Sequence, residues 1–401
     1  MITVAQAEKI IHSHLRDYGT EQIAFCNAAG RVLAEPIPAD RDLPPFNRST
    51  MDGIAISYAS WAAGTHTFRI GGTVAAGDAP ILFDASCECV EIMTGAPLPA
   101  TADTVIRYED LSITNGIATA TSPNIKQGQN VHLRGRDRHE GDVVVPAHTA
   151  VDSTIISMAA STGATMLTVK KLPTVVIITT GDELVDADVQ PTQWQIRKSN
   201  NYAIQAILQQ HCIAPALIHI PDDKAATNAA IQQCLSAYDV IIMSGGVSAG
   251  KFDYVPAALQ EQGVGQLFHK VQQRPGKPFW FGTHTSGKLV FAFPGNPVSA
   301  FMCMTRYFVP WLHASLSLPH KPQPHAVLDT DLTFEPALQY FLQVHLYIGA
   351  HCRLMAKSIA GNGSGDFANL LDTNAFMELP LEKTNFKQGE AYAIWPFKPI
   401  V

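Results

Sequence analysis

No stretch of this chain runs for the roughly 18 or more apolar residues that a membrane-spanning helix needs. The N-terminus, "MITVAQAEKIIHSHL", carries charge early and lacks the pattern of a secretory signal. A membrane-spanning protein is therefore not expected, and the expected location is the cytoplasm. Surplus positive charge is missing too: Lys and Arg number 28 against 35 Asp and Glu, for a formal net charge of −7. Nucleic-acid binding usually needs a basic face, so no nucleic-acid partner is expected. A local basic pocket for an anionic small molecule is compatible with this balance. Cysteine is sparse, with seven residues scattered at 26, 87, 89, 212, 234, 303 and 352 and no C-x-x-C pair. Such usage suits reduced, buried thiols rather than a disulfide framework. The "CEC" at 87–89 suits a metal or plain strand alternation equally. Internal repeats and low-complexity tracts are absent.

What the chain has is length and apolar residues. Its 401 residues, 46% of them hydrophobic, are too many for one ordinary core, so two or more domains are expected. Residues 3–17 have Ala7, Ile10, Ile11 and Leu15 at helical spacing and predict an amphipathic helix. "RVLAEPIPADRDLPPFNRSTMDG" follows, whose prolines forbid helix and suit a linker or an edge strand. From about residue 53 to 130, short strand-like runs alternate with Gly and Asn turns, and "TNG" signals a hairpin. A small β domain is expected there.

Near residue 173 the pattern changes. "TVVIITT" is a continuous β-branched run, as in a parallel strand buried on both faces. Helix-like and strand-like runs then alternate as far as "PGNPVSAFMCMTRYFVPWLHASL", which predicts one long helix. Such alternation predicts an open, doubly wound α/β sheet. Proline-rich "LPHKPQPH" marks a boundary near 318, beyond which the pattern returns to β.

In open α/β sheets, ligands bind at the carboxyl ends of the strands. After "VVIITT" comes "GDEL", with Glu183; after "ALIHI" comes "PDD", with Asp222 and Asp223. "DVIIM" leads into "SGGVSAGKFD", and "KLVFAF" leads into "PGNPVS". Gly245 and Gly246 lack Cβ and can bring successive N–H groups around an anion, or can simply make a strand-to-helix turn. Pro297 suits the first position of a helix, whose start would leave N–H groups free beside an anion. Glu183, Asp222 and Asp253 have the chemistry to share a divalent cation that neutralises a pyrophosphate. Alternatively, Asp222 and Asp223 cap the helix that begins at "KAATNAA". In "FHKVQQRPGKPF", Lys270, Arg274 and Lys277 gather three cations in an acidic chain. They suit counter-charges for phosphate and oxyanion groups, or a solvated basic edge.

The ordered set "PPFNRSTMDGIAI", "EIMTGAPLP", "TTGDEL", "SGGVSAGKFDY", "RPGKPFWFG", "FPGNPVSAF" and "GSGDFANLLDTNAF" resembles the molybdopterin molybdenumtransferases, the MoeA family, over essentially the whole chain. The resemblance implies insertion of molybdate at the dithiolene sulfurs of adenylated molybdopterin, with Mg²⁺-dependent cleavage of the pyrophosphate bond and release of AMP. The family's acidic positions fall on Asp52, Asp137, Glu183, Asp222 and Asp253, and its threonine on Thr94. Its basic positions fall on Lys270 and Arg274, and its "PGNP" on Pro294, Gly295, Asn296 and Pro297. Gly245, Gly246, Ser248, Lys277 and Arg134 join the expected binding set. Arg274 stands where lysine is often expected, and "VHLRGRD" departs from "RRxGED".

The implied fold is a multidomain α/β protein. Residues 1–47 with 131–172 form an elongated domain, and 48–130 an inserted β domain. Residues 173–317 form a doubly wound α/β domain for the pterin nucleotide, and 318–401 a β-barrel-like domain. The implied working form is a homodimer whose sites are shared between subunits, supplied by a molybdopterin adenylyltransferase. The alternatives are that adenylyltransferase activity itself, a non-catalytic molybdopterin carrier, or a scaffold.

Overall fold

The structure is a computed structural model and describes residues 1–246 and 254–400. Helix α1 (Val4–His12) opens the chain. The Thr3 hydroxyl accepts from Gln6 N, and the Gln6 side chain accepts from Thr3 N. This reciprocal pair satisfies two donors at the helix start. The helix stops at His12, short of the expected residue 17. The side chains of Ser13 and His14 both turn back onto the Ile10 carbonyl, and Leu15 lies on the surface. Beyond it, Thr20–Ala24 pairs antiparallel with Met166–Lys170, and α2 (Ser153–Ser161) packs beside them under an Asp152 cap.

Between these paired segments the chain makes a six-stranded sheet. Its strands are β1 (Gly53–Ile56), β2 (Thr67–Val74), β3 (Glu88–Ile92), β4 (Thr104–Arg107), β5 (Leu111–Thr114) and β6 (Ile117–Ala120), in the order β4-β1-β3-β2-β6-β5. Side chains alternate across it: Ile54 and Ile56 enter one cluster and Ala55 the other, so both faces are covered. The β5–β6 hairpin turns through Asn115 and Gly116, both at positive φ (51° and 76°), as a two-residue turn of that hand requires. The "CEC" resolves into strand alternation: Cys89 is buried inside β3, and Cys87 is exposed just before it.

The central sheet contains β7 (Val175–Thr180), β8 (Ala216–Ile220), β9 (Val240–Ser244), β10 (Val264–His269), β11 (Trp280–His284) and β12 (Leu289–Phe293). Their order is β8-β7-β9-β12-β11-β10. The first four are parallel; β11 runs antiparallel to β12 and β10 antiparallel to β11, so that β11 alone is reversed among these six strands. Parallel neighbours need a crossover of roughly a dozen or more residues. Only the turn of residues 285–288 joins β11 to β12, so that pair must be a hairpin. Val175 and Ile177 of β7 face α3 (Asn200–Gln210) and the C-terminal helices, while Val176 and Ile178 face α4 (Lys224–Ala237) and α5 (Val255–Glu261). Burial on both faces explains the unbroken apolar run.

The expected long helix runs from Pro297 to Ser315 in three parts. Helix α6 (Pro297–Cys303) and helix α7 (Val309–Ser315) flank a π turn at Met304–Phe308. Pro310 has no N–H to offer the carbonyl four residues back, and its ring would crowd that carbonyl. The wider turn, with Val309 N bonded to Met304 O, relieves this within a continuous helix.

The chain ends in strands β13 (His325–Leu328), β14 (Gln339–Ile348), β15 (Leu354–Ser358), β16 (Ala375–Leu379) and β17 (Ala391–Pro396). Pairings run β14-β15-β13-β17-β16 and back to β14, which closes a five-stranded barrel. Gln273 and Arg274 add in parallel to the start of β14, tying the barrel to the central domain. Among the described residues, no helix is long and apolar enough to cross a membrane.

Candidate functional site

From β7 the sheet extends to β8 on one side and to β9 on the other. This reversal opens a crevice at the carboxyl ends of the strands. A cleft of about 710 Å³ lies there. Its walls include Thr180 at the end of β7, Gly181 and Glu183 after it, Asp222 after β8, Gly245 and Gly246 after β9, and Pro294, Gly295, Asn296 and Pro297 after β12. All four expected strand ends thus meet in one place.

The glycines are required by geometry. Gly245 and Gly246 have φ of 96° and 71°, in the left-handed region. A Cβ on Gly246 would lie 2.7 Å from Val255 Cγ2 and 2.9 Å from Thr180 Oγ1. Asn200 Nδ2 donates to Ser244 Oγ and to Gly295 O, each at 2.8 Å, and so ties the end of β9 to the end of β12.

The carboxylates divide. Asp223 is the cap of α4, accepting from Ala226 N at 2.7 Å. Asp222 is left to the cleft, its N–H donating to Asp182 Oδ1 at 3.1 Å. The Glu183 carboxylate lies over Gly181, where a Cβ would meet Glu183 Oε2 at 2.5 Å. Pro297 does begin α6, but that helix start is partly occupied: Val298 N donates to Ser364 O, and the Asn296 amide to Ser364 Oγ.

A second cleft, of about 570 Å³, opens between the central domain and the barrel and meets the first at Pro278, Pro294 and Asn296. Arg274 and Lys277 line it. Among the described residues neither forms an ion pair; the Arg274 guanidinium lies 5.8 Å from the centre of the Phe334 ring. Lys270 lines neither cleft and sits at φ 71° on the surface.

The remaining expected residues gather elsewhere. Asp52 Oδ1 accepts from Thr94 N at 2.6 Å and from Thr94 Oγ1 at 2.8 Å. Those two bonds, the backbone one foremost, hold the Asp52 carboxyl below its ordinary range. Asp137 pairs with His132 Nε2 at 3.0 Å, and Arg134 Nε with Asp42 at 2.6 Å. None of Asp52, Thr94, Arg134 and Asp137 lines either cleft. Ser248 and Asp253 lie outside the described residues. Among the described residues, no group of three or more His, Cys, Asp or Glu side chains is disposed to hold a metal ion.

Three family models cover the chain in order. "MoeA N-terminal region (domain I and II)" matches residues 2–163, "probable molybdopterin binding domain" 176–314, and "MoeA C-terminal region (domain IV)" 325–397. A molybdopterin molybdenumtransferase of Synechocystis sp. is 37% identical, over 98% of this chain and 100% of its own. The chain belongs to the molybdopterin molybdenumtransferase family. One of its relatives from Haemophilus influenzae is 30% identical over the full length of both chains. A crystal structure of a MoeA protein of molybdopterin biosynthesis from Pyrococcus horikoshii superposes with a TM-score of 0.83 at 27% identity, covering 100% of both chains. Membership carries the enzyme class, a transferase, and the pathway, molybdenum cofactor biosynthesis.

Several residues that line the first cleft escape motif reading. Asn200 and Lys198 line the first cleft from "IRKSNN", and Lys198 is held by Asp186 at 2.9 Å. Two cations leading into an asparagine at the start of a helix are the available signal. Gly365 reaches the same cleft from the barrel, through the "GSGD" segment.

Proposed function

We propose that this chain inserts molybdate at the dithiolene sulfurs of adenylated molybdopterin and releases AMP. The carrying observation is the pair of adjoining clefts. The first offers glycine backbone and two carboxylates at strand ends, and the second offers two cations that have no carboxylate partner among the described residues. The pyrophosphate and pterin of the nucleotide suit the first, where backbone approaches closely and Asn200 holds the loops together. Molybdate, a dianion, suits Arg274 and Lys277 in the second. The shared wall at Pro294 and Asn296 puts the two substrates side by side, which lowers the entropic cost of their meeting.

Mg²⁺ fits the donor set. It takes hard oxygen ligands and is commonly held by one or two carboxylates together with substrate phosphates. Glu183 and Asp222 would be those carboxylates, with Asp253 as the further candidate. Bound there, the ion would neutralise pyrophosphate charge. The chain's own residues orient the nucleotide, hold the anion and exclude water from between them.

The working form in this proposal is a homodimer in the cytoplasm, fed by a molybdopterin adenylyltransferase. Support comes from Asp52 and Thr94, which are tightly bonded to each other yet belong to neither cleft of their own chain. They suit the cleft of a partner.

The test is incubation of the purified protein with adenylated molybdopterin, Mg²⁺ and molybdate, following AMP. Molybdate-dependent AMP release is the expected result. Adenylated pterin formed from ATP would make the chain an adenylyltransferase, and binding without turnover would make it a carrier.

A further inference from the structure

The segment that bears Arg274 and Lys277 rests on a buried polar relay that the proposed reaction leaves unused. Gln273 is 0% exposed. Its Nε2 donates to Gly276 O at 3.0 Å, and its Oε1 accepts from the Tyr307 hydroxyl. Tyr307 is itself only 2% exposed and sits in the π turn. Burial raises the phenol pKa well above its ordinary value, so the hydroxyl stays protonated. A phenol that donates needs the amide oxygen, and a carbonyl that accepts needs the amide nitrogen. Only one orientation of the Gln273 amide satisfies both ends. Flipping it would leave buried groups unpaired, which is costly.

The lock passes directly to the loop. Gly276 stands at φ 88°, and a Cβ there would lie 2.8 Å from Gln273 Nε2 and 2.9 Å from Cys303 Sγ. The backbone therefore lies directly on the relay, and lifting it would leave Gln273 Nε2 only the weak sulfur acceptor of Cys303, at 3.7 Å. Arg274 immediately follows the relay's amide and Lys277 immediately follows its carbonyl. The π turn supplies the other half of the arrangement. It buries two adjacent polar side chains, sending Arg306 to Glu8 and Glu378 and Tyr307 to Gln273. Single π turns recur at functional sites, and this one has a defined task.

We infer that Tyr307 and Gln273 are positioning residues for the oxyanion subsite: the relay from the π turn to the Gly276 carbonyl fixes the spacing of Arg274 and Lys277 and thereby sets affinity for a tetrahedral dianion. The inference rests on the assignment of molybdate to the second cleft.

Tyr307→Phe removes one hydroxyl and keeps the ring. Titration of the intact enzyme with molybdate alone should show affinity weakened about tenfold, the scale of one lost buried hydrogen bond. In turnover, KM for molybdate should rise by a similar factor, with KM for adenylated molybdopterin unchanged. A general loosening of the fold would move both. Gln273→Asn, too short to bridge the hydroxyl and the carbonyl, should give the same split and serves if Tyr307→Phe does not fold. Arg274→Ala is the reference. If it weakens molybdate binding while Tyr307→Phe and Gln273→Asn bind as wild type does, the relay is packing alone and the inference is overturned. If Arg274→Ala also leaves molybdate binding unchanged, the subsite assignment falls, and the inference with it.

Discussion

The two clefts touch, yet they are built by different means. Most of the first cleft's wall follows directly from a strand of one sheet, so its shape is set by short loops and by backbone. The second has the sheet's loops on one side and barrel strand β14 on the other, with Tyr340, Phe341 and Leu342 in its wall. It exists only because two domains are held together. Chain-local rules therefore give the strand-end wall of the first cleft, while the second depends on buried contacts remote from its surface. Damage to those contacts should injure the second cleft and spare the first.

The largest effect should come from Arg306. Its side chain is 5% exposed, pairs with Glu8 at 2.9 Å and Glu378 at 3.0 Å, and lies 4.2 Å from the centre of the Trp395 ring. Burial disfavours its charge, and Glu378 and Glu8 outweigh this, so its pKa is raised. It joins α1, the π turn and β16. Arg306→Ala would leave the half-buried Glu378 carboxylate without its cation, though still accepting from Trp395 Nε1 and the Gln339 amide, at a cost of about 3 kcal/mol. Arg306→Met, which keeps the bulk, removes the same cation but fills the hole, and should cost less. Urea unfolding measures both. A loss near zero for Arg306→Ala would mean that the junction does not hold the barrel.

The first cleft should respond in the opposite way. Glu183→Gln and Asp222→Asn sit on loops and should leave the melting temperature unchanged. Turnover should fall roughly a hundredfold in each, the scale of several kcal/mol of charge stabilisation at a metal-supported site. Near wild-type turnover at saturating Mg²⁺ would remove that residue from the metal.

A third outcome separates both clefts from the Asp52–Thr94 pair. Asp52→Ala and Glu183→Ala homodimers should each be nearly inactive. In a two-fold dimer with shared sites, a mixed dimer carries both lesions in one site and none in the other. Refolding the two variants together should recover about a quarter of wild-type activity, since half of the randomly paired dimers have one of two sites intact. Verified mixed dimers that stay as inactive as their parents would show that Asp52 serves no partner.

These contrasts also explain what was legible in the sequence. "TVVIITT" announces a strand covered on both faces, and "GDEL", "SGG" and "PGNP" mark where such strands end, so the strand-end wall of the first cleft is readable from the sequence. Asp222 and Asp223 look alike until the cap of α4 claims Asp223. Lys270 and Lys277 look alike as well, and only the turn at Lys270 carries it away from both clefts. The relay is not readable. Gln273 and Tyr307 are far apart in the chain, and "MTRYF" reads as part of an apolar helix. Its π turn is hinted at only by Pro310. Asn200 was missed because its task, bridging two strand ends, exists only once the sheet is ordered.

The smallest predicted effect concerns acid. His313 on α7 belongs to the same helical run as Arg306 and Tyr307. Its ring meets that of His211, at the end of α3, edge to face, with Nε2 3.4 Å from His211 Nδ1. Burial pushes the His313 pKa down to about 4, and the charges of His211 and Lys321 act in the same direction. Burial lowers His211 as well. An unfolded chain takes up these protons near pH 6.5. Between there and about pH 4 the unfolded state binds more protons than the folded one, so stability falls as pH falls through this window. Glu390, held at about 2 by its bonds to Lys383 and Tyr392, begins its own loss only as pH falls to its unfolded value near 4.5, so it adds at the acid foot of this window and His313→Gln leaves that part unchanged. The melting temperature should drop by a few degrees from pH 6.5 to pH 4.5. His313→Gln, which keeps a polar partner for His211, should flatten the slope. Because α7 continues from the π turn, molybdate affinity should weaken before nucleotide affinity over the same interval. A slope unchanged by His313→Gln would place the acid response elsewhere, and equal weakening of both ligands would erase the distinction between the clefts.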